Sequence, residues 1–115
     1  MNGYLKGVRQ RMLAGSFPFV PARLWLFLVL TSPRAGVFPG YVVVVHNRTD
    51  KVIFIANLAP RPEFASEDDV CSGRVRLRCM FPEEGRYTCQ IWFFREHGSD
   101  VLKGELPFSV SREEP

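Results

Sequence analysis

Residues 81–94, FPEEGRYTCQIWFF, constrain the fold of this chain more than any other stretch. They open on Pro82, Glu83, Glu84 and Gly85, a cluster of turn formers, and continue as an alternating run. Successive strand side chains point to opposite faces. Tyr87, Cys89, Ile91 and Phe93 therefore share one face, and Arg86, Thr88, Gln90, Trp92 and Phe94 share the other. The first face is wholly core-like, while the second begins polar and ends aromatic. That is the pattern of a central sandwich strand, with its outer side covered more completely at the far end.

The rest of the chain fits around such a strand. A length of 115 residues, 46% hydrophobic with ten Phe, suits a single domain spanning residues 1–115 with ample material for one core. Residues 3–14 are weakly strand-like, and Pro18 and Pro21 make residues 17–21 an extended crossing segment whose Phe17 and Phe19 cap the core. Residues 1–22 thus read as a first strand and a Pro-rich crossing. Residues 23–31 read as a buried strand, apolar on both faces. The β-branched runs 41–46 and 51–56 flank Asn47, Arg48, Thr49 and Asp50 and predict a hairpin. Residues 58–69, with Pro60, Pro62 and four acids, predict the crossover between two sheets. Residues 73–80 alternate with Val75, Leu77 and Cys79 inward and three Arg outward; residues 101–110 close the sheet with Pro107 marking an edge; residues 111–115 are a polar tail. About seven strands and no helix predict an all-β chain, a single immunoglobulin-like β-sandwich without an inter-sheet disulfide.

Composition narrows the function classes. The net charge of +3 is mild beside that of a dedicated nucleic-acid binder. Cys71, Cys79 and Cys89 match no zinc spacing, and His46 and His97 do not flank them, so buried free thiols are expected and neither a metal nor a cofactor. Residues 24–30 resemble the apolar region of an export signal. They are far too short to span a bilayer, and Pro33 and Arg34 sit where a cleavage site wants small residues. A buried strand, no membrane and a cytoplasmic location are the expectation.

Four constellations bear on chemistry. Glu83, Gly85, Tyr87 and Cys89 fit the acid-x-Gly-x-Tyr-x-Cys signature of a tyrosine corner, which gives Gly85 and Tyr87 structural roles. No Cys precedes Cys71, so the likeness to immunoglobulin domains covers this turn and strand alone. Arg74, Arg76 and Arg78 form a row on one strand face, with Arg86 as a further candidate, and could line up on an anion or a nucleic acid. A single-strand binder also interleaves exposed aromatics, and none stands near this row in the sequence. The expectation is therefore a solvated or ion-paired face, with nucleic acid an unlikely partner. Cys71, at a loop–strand junction, is the one thiol placed to serve an enzyme or redox sensor, yet no catalytic motif accompanies it. Asn47–Thr49 matches a glycosylation sequon, but its residues are those a hairpin turn uses.

Taken together, LKGV at 5–8, FPFVPARLWLFL at 17–28, FPEEGRY at 81–87 and LKGELPFSV at 102–110 resemble a family of small bacterial proteins catalogued as a domain of unknown function. The resemblance implies a sandwich-like all-β domain in a bacterial cytoplasm and carries over no catalytic or binding residue. Members have a further strand ahead of the Leu-x-Gly-Val segment, where this chain begins almost on it. An open first edge would invite edge-to-edge pairing, most simply a twofold homodimer. The expected function is a non-enzymatic protein-interaction module, contacting another protein or itself through Leu5, Val8, Trp92 and Phe94. Anion or nucleic-acid binding through the Arg row and thiol chemistry are the alternatives. Trp92 and Phe94 form an anchor patch only if they are exposed; covering by neighbouring chain is expected instead.

Overall fold

The computed structural model describes residues 2–6, 11–32 and 34–114. Among them are ten strands and no helix: β1 (Asn2–Lys6), β2 (Arg11–Ala14), β3 (Trp25–Thr31), β4 (Gly36–Val37), β5 (Gly40–His46), β6 (Lys51–Asn57), β7 (Glu63–Phe64), β8 (Val70–Arg76), β9 (Gly85–Phe93) and β10 (Val101–Arg112). A three-stranded sheet, β1-β3-β8, faces a five-stranded sheet, β2-β10-β9-β5-β6. β4 and β7 form a two-residue ladder beside them. Every pairing is antiparallel except that of β2 with β10, which is parallel. The chain is an all-β sandwich without a disulfide, as its alternation predicts.

One core joins the sheets. β3 contributes Leu26, Leu28 and Leu30; β5 contributes Val42 and Val44; β9 contributes Tyr87, Cys89, Ile91 and Phe93; β10 contributes Phe108 and Val110. Phe81 packs edge-on against both Tyr87 and Phe108, at 4.9 and 5.9 Å between ring centroids. Each such ring or aliphatic chain removed from water contributes about 1.5–3 kcal/mol. Phe17 and Phe19 pack against this cluster, and Phe19 bridges to Phe81, so the Pro-rich crossing caps the core as its composition suggests.

The hairpin forms from β5 and β6, and residues 58–69 carry the chain from one sheet to the other. Four expectations are corrected. Residues 3–14 are not one strand: β1 pairs with β3, whereas β2 pairs with β10 in the opposite sheet. The Arg-bearing strand begins earlier, at Val70, and its ladder ends at Arg76. Residues 111 and 112 belong to β10, where β2 pairs alongside Ser109–Arg112; Pro107 stands just ahead of that ladder, where its missing N–H costs no bond. Finally, β3 is not buried on both faces. Its leucines are buried, but Trp25 and Phe27 are 36% and 40% exposed.

Candidate binding surfaces

The turn entering β9 is a tyrosine corner. The Tyr87 hydroxyl donates to the Glu83 carbonyl oxygen at 2.6 Å, and Gly85, at φ 150°, takes a conformation L side chains rarely adopt. Burial pushes the Tyr87 phenol up from its ordinary value. Beneath the turn lies His46, 2% exposed, its ring edge-on to Tyr87 at 4.6 Å. Its Nε2 is 3.0 Å from Glu83 Oε1 but poorly aligned, so the contact is one of proximity, and neither ring nitrogen makes a hydrogen bond. Arg48 donates to the same carboxylate from Nε, at 2.8 Å, and from Nη2. Those bonds hold the Glu83 carboxyl below its usual range against an opposing effect of partial burial. These contacts tie the turn to the core through Gly85 and Tyr87.

The outer face of the five-stranded sheet is polar along the first half of β9 and aromatic at its far end. Register places Tyr41 opposite both Trp92 and Asn57, and Leu102 opposite Trp92. The Tyr41 ring lies nearly parallel to Trp92, at 6.5 Å and 6°, and tilts against Phe94 at 5.0 Å. Trp92 Nε1 donates to Gln90 Oε1 at 3.1 Å, and Gln90 Nε2 donates to Glu105 at 2.9 Å. Tyr41 donates to Asp100 at 2.8 Å, and burial followed by that bond raises its phenol. The aromatic polar tips are thus satisfied and the rings held in place. Phe94 is 49% exposed and Trp92 half-buried, so the two are not covered by neighbouring chain as expected. At the sheet's edge, β6 exposes Val52 and Ile55 at 56% and 62%. Leu5 does not join this patch. It belongs to β1 in the other sheet, in register with Leu28, and Val8 lies outside the described residues.

The outer face of the three-stranded sheet has the opposite chemistry. Arg74 and Arg76 are exposed on β8, and Arg78 continues the alternation past its end between buried Leu77 and Cys79. Pairing with β3 puts Phe27 opposite Arg74 and Trp25 opposite Arg76. Aromatics therefore do interleave the Arg row, brought from a distant part of the sequence. The Arg74 guanidinium rests 4.7 Å from the Trp25 ring centroid, a cation–π distance. Arg76 Nη2 donates to the Ala22 carbonyl at 2.9 Å. No carboxylate pairs with any of the three among the described residues, and β1, β3 and β8 contain no Asp or Glu. Arg86 is separate, on β9 of the other sheet opposite Ser109. Beside Trp25 and Phe27 a cleft of about 330 Å³ opens between the sheets, lined also by Leu13, Arg23, Leu106 and Phe108.

Cys79 and Cys89 are buried free thiols pushed up to about 12, Cys89 by burial and Cys79 by burial and then by Cys89. Cys71 is half-buried and pairs in register with Leu30, remote in the ladders from His46. Among the described residues no cluster of His, Cys, Asp or Glu has the arrangement of a metal site, and no helix is long and apolar enough to cross a membrane.

No protein-family model and no curated protein matches the chain. Two solved structures are similar in fold. The C-terminal domain of wzt superposes with a TM-score of 0.61 at 6% identity, over 96% of this chain and 71% of that one. The CARDB domain of the PF1109 protein from Pyrococcus furiosus, solved in complex with di-metal ions, superposes with a TM-score of 0.54 at 11% identity, over 95% of this chain and 85% of that one. At such identities the likeness extends to the β-sandwich fold and no further.

Proposed function

We propose that this chain is a non-catalytic protein-interaction module whose five-stranded sheet contacts protein, with a second copy of the chain across β6 as the occupant. The observation that carries this reading is the character of β6. Among the described residues it pairs only with β5, and its span from Val52 to Ala56 contains neither charge nor proline. Monomeric proteins blunt an open edge with Lys, Pro or inward charges; here Lys51 stands only at the start of the strand. Antiparallel pairing of two β6 strands about a twofold axis would satisfy both rows of backbone groups and cover Val52 and Ile55 of each copy. The Tyr41 ring, in register with Asn57 of β6, and the Trp92 and Phe94 rings packed beside it are anchors of the kind interfaces favour. On this reading the homodimer forms at β6, whereas the sequence points to the first strand. The similar folds, both small sandwich domains, are compatible with a binding role.

Native mass spectrometry at moderate salt, with light scattering on an eluting peak, tests the reading. The expected species is a dimer, and Ile55→Lys is expected to give a folded monomer, since Ile55 lies outside the core. A monodisperse wild-type monomer at tens of micromolar would overturn the proposal.

A further inference from the structure

We infer that the outer face of the three-stranded sheet binds single-stranded nucleic acid, with Trp25 and Phe27 stacking bases and Arg74, Arg76 and Arg78 holding phosphates. Alternate residues of a strand stand about 6.5–7 Å apart, the scale on which nucleotides repeat along an extended single strand. Two aromatic rings at that interval, both substantially exposed, lie beside three arginines at the same interval. Single-strand binders combine these two elements, a cationic track and a stacking platform, and base stacking tolerates any sequence because every base has a π-face.

Charge points the same way. The three strands hold Lys6, Arg74 and Arg76 and no carboxylate, so nothing in their sequence neutralises a bound polyanion's partners. Arg74 meets Trp25 through charge and ring face, and Arg76 spends one nitrogen on Ala22, so both retain N–H donors for phosphate oxygens. A sugar polymer fits less well. Hydroxyl-rich ligands need acceptors as well as donors, Arg supplies only donors, and β3 and β8 contain no Asp, Asn, Glu or Gln.

The test is fluorescence anisotropy of a labelled oligothymidylate about twelve nucleotides long, within the span such sites cover. Saturable binding is expected at low salt, with log K falling against log salt at a slope of about −2, as three single-strand phosphate contacts require. Trp25→Ala is expected to weaken binding roughly five- to hundred-fold, and Arg76→Glu to abolish it. Both residues are exposed, so circular dichroism should be unchanged. A second readout isolates the stacking. In Trp92→Phe, where Trp25 is the sole indole, the oligonucleotide should quench emission; in Trp25→Phe it should not. Failure to bind at low salt would overturn the inference. So would heparin, which has no bases, binding as tightly with Trp25→Ala indifferent, or quenching confined to Trp92. Preference for a neutral oligosaccharide would overturn it equally.

Discussion

The phenol of Tyr87 reaches from the middle of the core to the Glu83 carbonyl and so ties the turn to β9. Tyr87→Phe would leave that carbonyl without its donor, an expected loss of about 1–3 kcal/mol by urea titration with the fold retained. Glu83 adds a pH dependence with a definite sign. Arg48 holds its carboxyl below the value it has in the unfolded chain, so the stabilisation is complete above the unfolded pKa and vanishes as pH falls through the folded one. The difference in melting temperature between the wild type and Glu83→Gln should be steady near neutrality and shrink as pH falls from about 5 to 3. Thiol reactivity follows burial. With Cys79 and Cys89 pushed up to about 12, iodoacetamide at mildly alkaline pH should spare both until denaturant is added and label Cys71 first, as peptide mass mapping would show. The tyrosine corner is legible in sequence because its residues are local. The contact of Arg48 with Glu83 is not, because two turns distant in sequence must first be brought side by side.

At the scale of elements, strands with a polar neighbour at every second position could be read directly. β9 has Arg86, Thr88 and Gln90 on its outer side, and the β5–β6 hairpin has turn residues between two β-branched runs. β3 is different. WLFLVLT is nearly apolar throughout, so its alternation carries no information about which side meets water. Exposure of Trp25 and Phe27 depends on what covers the sheet, a tertiary property. The interleaving of these rings with the Arg row depends in turn on the β3–β8 register. Residues 3–14 are hard to read for a related reason: Gly and basic residues mixed with apolar ones do not reveal that β1 and β2 pair in different sheets. β6 was legible as a strand, but its place at a sheet edge is a matter of topology.

At the scale of the whole molecule, the two sheets divide the chemistry, with an aromatic end and, among the described residues, an open apolar edge on one and a cationic, aromatic face on the other. β8 also runs between unlike ends. Glu67, Asp68 and Asp69 immediately precede it, whereas Arg74, Arg76 and Arg78 lie toward its finish. From Val70 to Arg76 the strand spans about 20 Å. At physiological salt, where screening acts within about 8 Å, neighbouring molecules sense the ends separately; at a hundredth molar it reaches about 30 Å and the whole strand acts as a dipole. Dilute buffer should therefore favour head-to-tail contacts that never close and grow into open chains, whereas a twofold β6 pair stops at two and withstands added salt. Turbidity that appears on dialysis into dilute buffer and clears when salt is restored would mark the first kind of association, with the proposed dimer as the species expected to persist.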